Sequence, residues 1–488
     1  MRRPKQPLFR RHPRQRGGSG TVWTTKLYQR ERGSVLIIVL LICLGLVVLV
    51  LYFAESINSE LQASANRVGD IEAKEAVESG IRYAAYILNN YAIDGIVPDN
   101  GVEPDPVTDY YSGTLEAGNQ IGDQAGDPQF WFIGRDVNNP PGNDPVFCLV
   151  DESSKLNLNT VTATMLDQLP MVNMTDDFSQ AIVAWRTRER GSNSSAESSL
   201  YSGMDPPRLN KGAPYESTFE LRLVYGATLD LLFGEDTNLN GALDPNENDG
   251  DLSPPHDNQD GLLQPGMFEY VTAFSNQPTT THSKGTRAGA ARVNISNLAP
   301  TNPNYRMLQA LLVRKGVGNG RASAILRNVS GRTYTSVADF MQASRMTAQE
   351  FALVHTSIMG TSSAGLVNVN TASEAVLACI PGIGPNNAPA VVNYRISNPT
   401  ALTSFAWLPS VIGAAAIRRA GPYITDQSYQ FSADIAAVGR FGRGYHRERV
   451  IFDTSLGTPR IIYRQDLTAY GWALGTAVRH AIETAHPY

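Results

Sequence analysis

The stretch Ser34–Ala54, SVLIIVLLICLGLVVLVLYFA, carries no charged side chain, and its reading decides how the rest of the chain is arranged. A helix of about 21 residues at 1.5 Å per residue covers roughly 32 Å, enough to cross the hydrocarbon core of a bilayer. Before it stand Arg2, Arg3, Lys5, Arg10, Arg11, Arg14, Arg16, Lys26, Arg30 and Arg32 against the single acid Glu31. Positive flanks stay on the cytoplasmic side, so residues 1–33 remain inside and the rest of the chain crosses. The apolar run is longer than the core of a cleaved secretory signal, and the FAESINSE that closes it offers no small-residue cleavage site. Residues 55–93 continue as helix formers without proline. Ile57, Leu61, Ala65, Val68 and Ile71 recur at helical spacing among polar residues, and Val77, Ile81, Ala84, Ala85 and Leu88 form a stripe further on. The expectation is one unbroken helix, embedded in a membrane at its start and amphipathic at its end.

The chain has 488 residues, 42% of them hydrophobic and 18% charged, which is the composition of a folded protein with more than one core. Its net charge of −5 hides the basic head, so the exported remainder is acidic and lacks the footprint of a polyanion binder. Three cysteines are too few for a disulfide scaffold. Cys43 lies in the apolar run, and Cys148 and Cys379 read as two separate buried thiols rather than a bridge.

Residues 96–150 are rich in Gly, Pro, Asp and Asn, with strand candidates at Gln129–Arg135 and Val146–Val150. Residues 151–424 read mostly helical. Strand patterns return at Tyr429–Val438, Arg447–Asp453 and Arg460–Tyr463, with Gly439–Gly444 as a turn. The fold class expected is α+β: a long N-terminal helix on an antiparallel sheet, with a large helical insertion. A weak repeat runs through the insertion: KLNLNT at 155–160, RVNIS at 292–296 and LVNVNT at 366–371, each followed by an apolar helix pattern. In the third copy Thr371 and Glu374 have capping-box spacing, and Pro381-Gly-Ile-Gly384 turns into a second helix over Ala388–Arg395. This is a helix-hairpin-helix signature. Such hairpins often hold phosphates, but Asn386 and Asn387 stand where a nucleic-acid binder favours lysine, so no nucleic acid is expected.

The sharpest chemical signal is Asp236-Thr-Asn-Leu-Asn-Gly-Ala-Leu-Asp-Pro-Asn-Glu247. Its oxygen donors follow the twelve-residue calcium loop: Asp236, Asn238 and Asn240 at positions 1, 3 and 5, the Ala242 carbonyl at 7, Asp244 at 9 and a bidentate Glu247 at 12. Gly241 falls at position 6, where the chain turns sharply, and Leu243 is apolar, as needed to pin the loop to a core. Calcium, a hard cation, suits this all-oxygen set; no histidine or cysteine favours a softer metal. Asp249, Asp251, Asp257 and Asp260 follow at irregular spacing and offer carboxylates for a second ion. No catalytic constellation emerges: His355, His446, His480 and His486 lack partners at readable spacing, and no nucleophile elbow or Walker loop occurs. The chain is therefore not read as an enzyme.

The basic segment, Gly33, Ser34 and the helix starting at once resemble the leader of type IV prepilins, which prepilin peptidase cuts after the glycine. Pilins usually carry a glutamate five residues after the cut; here that position is Ile38. A carboxylate at membrane depth costs about 2.5–3.5 kcal/mol and is kept for a partner, so its absence fits a filament tip. Together with KLNLNT, with STFELRLVYGAT (217–228) leading into the metal loop, and with the hairpin at 366–395, the chain resembles the GspK family, the K-type minor pseudopilins of type II secretion systems. The resemblance runs from about residue 30 to about 410.

It implies a pilin-like fold with a SAM-like helical insertion, calcium in that insertion, and I- and J-type minor pseudopilins as partners at the tip of the pseudopilus. It also implies assembly initiation for export of folded proteins. Carried over, Gly33 precedes the scissile bond and Ser34 becomes the first mature residue; the serine departs from the Phe or Met usual there, and the leader is long. The organisation expected is a leader at 1–33, a membrane segment at 34–54, pilin-like helix and first strands at 55–150, the insertion at 151–424 and C-terminal strands at 425–488. The chain is placed in the inner membrane as a single-pass protein, its bulk in the periplasm. Two alternatives stay open: an anchored DNA receptor resembling ComEA proteins through the hairpin, and a calcium-stabilised surface protein with an uncleaved anchor.

Overall fold

The computed structural model describes residues 34–91, 95, 119–120, 127–138, 141–171, 174–187, 201–281, 289–361 and 364–485. Gly33 and the leader lie outside the described residues. Helix α1 runs from Ser34 to Tyr91, 58 residues without interruption. At 1.5 Å per residue it is about 87 Å long. Among the described residues it is the one helix long and apolar enough to cross a membrane. Val35 to Phe53 expose their apolar side chains along this helix, as a segment solvated by lipid requires.

The chain divides into two compact units, Met1–Ala63 and Ser64–Tyr488. In the second, the sheet is built from both ends of the chain. Strands numbered along the sequence are β1 (Asn119–Gln120), β2 (Gln129–Gly134), β3 (Val146–Phe147) and β4 (Val150–Asp151), then β11 (Gln430–Val438), β12 (His446–Asp453) and β13 (Arg460–Asp466). Their order is β1-β2-β11-β12-β13, with β3 beside β2 and β4 beside β11, all antiparallel. Ile435 opposite Phe132 and Ala436 opposite Trp131 fix the register between strands that are far apart in sequence.

The period of two sorts the sheet's side chains onto two faces. Phe130, Phe132, Phe431, Ala433, Ile435, Ala437, Val450 and Phe452 point to α1, packing with Ala76, Val77, Ile81, Ala84, Ile87 and Leu88. Burying each of the larger aliphatic side chains contributes roughly 1.5–3 kcal/mol. Small residues let the helix lie close. A Cβ on Gly80 would come within 2.9 Å of Ile435, and one on Gly69 within 2.8 Å of the Arg443 backbone. Trp131, Ile133, Ala436 and Val438 point to the opposite face, where Ala473, Leu474 and Val478 cover them. The last two belong to or adjoin the helix Gly475–Ala485. The C-terminal stretch expected to be strands therefore ends its last strand at Asp466 and closes on a helix, whose Val478 and Ile482 recur at helical spacing and pack on the sheet.

The insertion shares one core extending from Leu156 to Ile424. It is organised by three short parallel pairs: β5 (Leu156–Asn157) with β6 (Val271–Thr272), β7 (Val293–Asn294) with β8 (Ile358–Met359), and β9 (Val367–Asn368) with β10 (Ile424–Thr425). Each opening strand is one of the three sequence copies. In each, an asparagine turns the chain by accepting the N–H two residues on: Asn157 from Asn159, Asn294 from Ser296 and Asn368 from Asn370. The repeat is thus structural, and the fold is α+β with a long N-terminal helix, an antiparallel sheet and a helical insertion.

Candidate metal centre

The loop 236–247 follows the short helix Leu229–Phe233, which Thr228 caps. Its donors are drawn inward by the loop's own amides. Asp236 accepts from the N–H of Asn240 and of Gly241, both at 2.9 Å. Asn238 Oδ1 accepts from Asn240 N–H at 2.9 Å, and Asn240 Oδ1 from Ala242 N–H at 2.7 Å. Glu247 reaches back across the loop to the N–H groups of Thr237 and Asp244, each 3.1 Å. Two left-handed residues, Leu239 and Gly241, produce these bends. All six predicted donors, Asp236, Asn238, Asn240, Ala242, Asp244 and Glu247, are buried.

Three carboxylates this close in a dry site repel. Burial pushes the Glu247 carboxyl up to about 8, with Asp236 and Asp244 adding to the rise. Burial likewise raises Asp236 to about 6 against the pull of Arg135, and it raises Asp244. The amide N–H groups of Asn238 and Asn240, at 2.6 and 3.0 Å from Asp244 Oδ2, supply the positive end that this carboxylate meets inside the loop. Among the described residues no three His, Cys, Asp or Glu side chains hold an ion by themselves. Here two of the five side-chain donors are amides, and a carbonyl makes the sixth. An all-oxygen set with surplus buried negative charge fits a hard divalent cation such as calcium. These six residues would hold it, and the ion would supply the charge that makes three buried carboxylates compatible.

The acidic stretch that follows forms its own turns. Asp257 accepts from the N–H groups of Asp249 and Gly250 at 2.9 Å, and Asp249 from Ser253. Asp260 accepts from Leu262 N–H at 2.8 Å.

In the third module, Ser373 rather than Thr371 caps the helix Glu374–Ala378. Thr371 instead donates to Asp151, a contact invisible to local spacing. The second helix, Gly384–Ser397, begins earlier than expected because Pro385 is tolerated in its first turn. The N–H groups of Ile383 and Gly384 both bond Ile380 O, and Pro385 has none. A Cβ on Gly382 would strike Ala416 O at 2.4 Å, so the turn docks on the helix Ala414–Ala420.

Sequence spacing missed two buried groups. His355 Nδ1 lies 3.0 Å from Asp426 Oδ2, so this histidine has a partner far away in sequence. Asp151 takes hydrogen bonds from Ser428, Thr371, Asn368 and Ser153 N–H. Burial lifts its carboxyl to about 6 even so. Cys148 and Cys379 are free, buried thiols.

Against known proteins, the family model of the helix-hairpin-helix motif matches residues 362–423. No curated protein matches the chain. Among solved structures the chain is similar to one from the crystal structure of the GspK-GspI-GspJ complex of the enterotoxigenic Escherichia coli type 2 secretion system. The identity is 10% and the TM-score 0.35, over 84% of this chain and 99% of that one.

Proposed function

We propose that the chain is a membrane-anchored, K-type minor pseudopilin that sits at the tip of a type II secretion pseudopilus. The observation that carries this is the split sheet. One long helix, apolar at its start, packs its second half on strands drawn from both sides of a helical insertion. A subunit so built offers an apolar helix for assembly in the membrane and a large folded unit beyond it in sequence. I- and J-type minor pseudopilins are the partners this reading names, and prepilin peptidase is the enzyme that matures it, between Gly33 and Ser34. The role is structural, with the inner membrane as its anchor and the periplasm around the head. Calcium is the proposed occupant of the loop Asp236–Glu247.

Mass spectrometry of the N-terminus from native membranes tests the reading. A chain beginning at Ser34 is expected, whereas an intact Met1 removes prepilin processing and leaves an anchored calcium protein. Against the DNA-receptor alternative stand two turn amides, those of Ile383 and Gly384, both of which donate to Ile380 O.

A further inference from the structure

The metal loop has an outer side as well as an inner one. Its side-chain oxygens are tied to the loop's own amides, while the carbonyls of Asn238, Leu239 and Asn240 are taken by two arginines, one of which, Arg135, also sets Nη2 3.7 Å from Asp236 Oδ2. Arg447, on β12, donates to Asn238 O through Nη1 and to Leu239 O through Nη2 at 2.8 Å. Arg135, directly after β2, donates to Asn240 O at 3.0 Å and to Leu239 O at 3.2 Å. Each arginine is itself held. Asp434 on β11 takes Arg447 Nε and Nη2 at 2.8 Å, and Glu269 takes Arg135 Nε at 2.7 Å. Two further ties run alongside: Asn238 Nδ2 to Trp472 O at 3.1 Å, and Leu243 N–H to Gly142 O at 2.8 Å.

Two energies link the two sides of the loop. Arg447 is fully buried, so a loop that opens strands its Nη1 donor away from water. Leu239 is a buried, non-glycine residue at φ 58°, an unfavourable conformation held here by both arginines on its one carbonyl. The bend that puts Asn238 and Asn240 in position as donors is therefore the same bend that presents the carbonyls to the sheet.

We infer that Arg135 and Arg447 make this loop a latch: a divalent cation on its inside and the sheet on its outside bind the same closed conformation, so cation binding and docking of the inserted domain on the sheet are coupled. The inference rests on the calcium reading of the loop. By reciprocity, the arginines raise the loop's affinity for the cation by the factor with which the cation tightens the docking. Neither arginine is a ligand; both are positioning residues. Such a latch closes where calcium is plentiful and stays loose where it is scarce.

The test uses the full-length protein in detergent, titrated with calcium by calorimetry and followed by amide hydrogen exchange over β11 and β12. The variants are Arg447→Lys and Arg135→Lys. Each keeps its positive charge, so long-range repulsion of the cation is unchanged, but each loses the fork that spans two carbonyls. The wild type is expected to bind calcium and to slow exchange in β11 and β12 when it does. Each variant is expected to bind about tenfold more weakly, with the calcium-dependent protection of the sheet reduced. Should Arg447→Lys fail to fold, Arg135→Lys, which lies at the edge of the buried region, decides the matter. A wild type that takes calcium while the variants match its affinity and its sheet protection overturns the latch alone. A wild type that takes no calcium overturns the calcium reading, and the latch falls with it.

Discussion

Two sites in the head bury carboxylates by opposite means. In the loop Asp236–Glu247, three acids from twelve consecutive positions are driven together, and their mutual repulsion leaves room for a cation. At Asp151 a single acid is buried without a cationic side chain on it. Its partners are two hydroxyls and an amide from Asn368, Thr371 and Ser428, far along the chain, with one local N–H. Asp434 shows a third solution: burial pushes it up, but Arg447 and Arg449 more than reverse the shift and hold it below the usual carboxylate range. The lesson is that burial alone does not identify a metal site. What distinguishes the loop is three carboxylates gathered by local backbone turns, with one cationic side chain, Arg135, 3.7 Å from Asp236.

Replacing each carboxylate in turn sharpens the contrast. The largest effect is expected from Asp434→Ala, which leaves Arg447 charged and buried without its counter-ion. Breaking a buried pair from one side costs about 3–5 kcal/mol, read by urea denaturation. Next comes Glu247→Ala, which should abolish the calcium-dependent part of the stability. At calcium a hundredfold above Kd that part is about 2.7 kcal/mol in the parent, and a variant whose melting temperature still rises with calcium would break the comparison.

The parent's pH profile separates the sites further. Folded Glu247 holds its proton up to about 8, so in chelator the folded state binds more protons than the unfolded one between the ordinary glutamate range and pH 8. Stability should therefore fall as pH rises through that window, and calcium should flatten the fall. The smallest effect is expected at Asp151→Asn. The same sign applies between the ordinary aspartate range and about 6, and the amide should remove that part of the slope while changing stability at neutral pH by about 1 kcal/mol. A slope unchanged by Asp151→Asn would show that the hydroxyl cluster already satisfies the ionised form.

Much of this is legible in the sequence. The loop Asp236–Glu247 is a spacing motif: its candidate donors lie within twelve residues and its bends are made by i-to-i+2 and i-to-i+4 hydrogen bonds, so sequence order nearly equals spatial order. The same holds for α1, whose composition and lack of proline extend one helix from Ser34 to Tyr91. The three asparagine turns at 157, 294 and 368 were visible as a repeat because each is local. The hairpin's cap was misplaced at Thr371 because the spacing of Thr371 and Glu374 satisfies the rule, while the true competitor for that hydroxyl, Asp151, is distant in sequence. The closing helix Gly475–Ala485 was missed because a few apolar residues after a run of strands carry little periodic signal.

Local chemistry, then, specified the long apolar helix, the three asparagine turns and the bends of the loop Asp236–Glu247, because each depends on residues within a turn or two of one another. Folding in three dimensions settled what holds those pieces together. The pairing of β2 with β11, the His355–Asp426 contact, the Asp151 junction and the two arginines on the loop's outer carbonyls all join residues widely separated in sequence. Such contacts leave no spacing to read, since any of many polar residues could satisfy a buried arginine or carboxylate. Only the packing of the sheet and the insertion against each other selects which of them does.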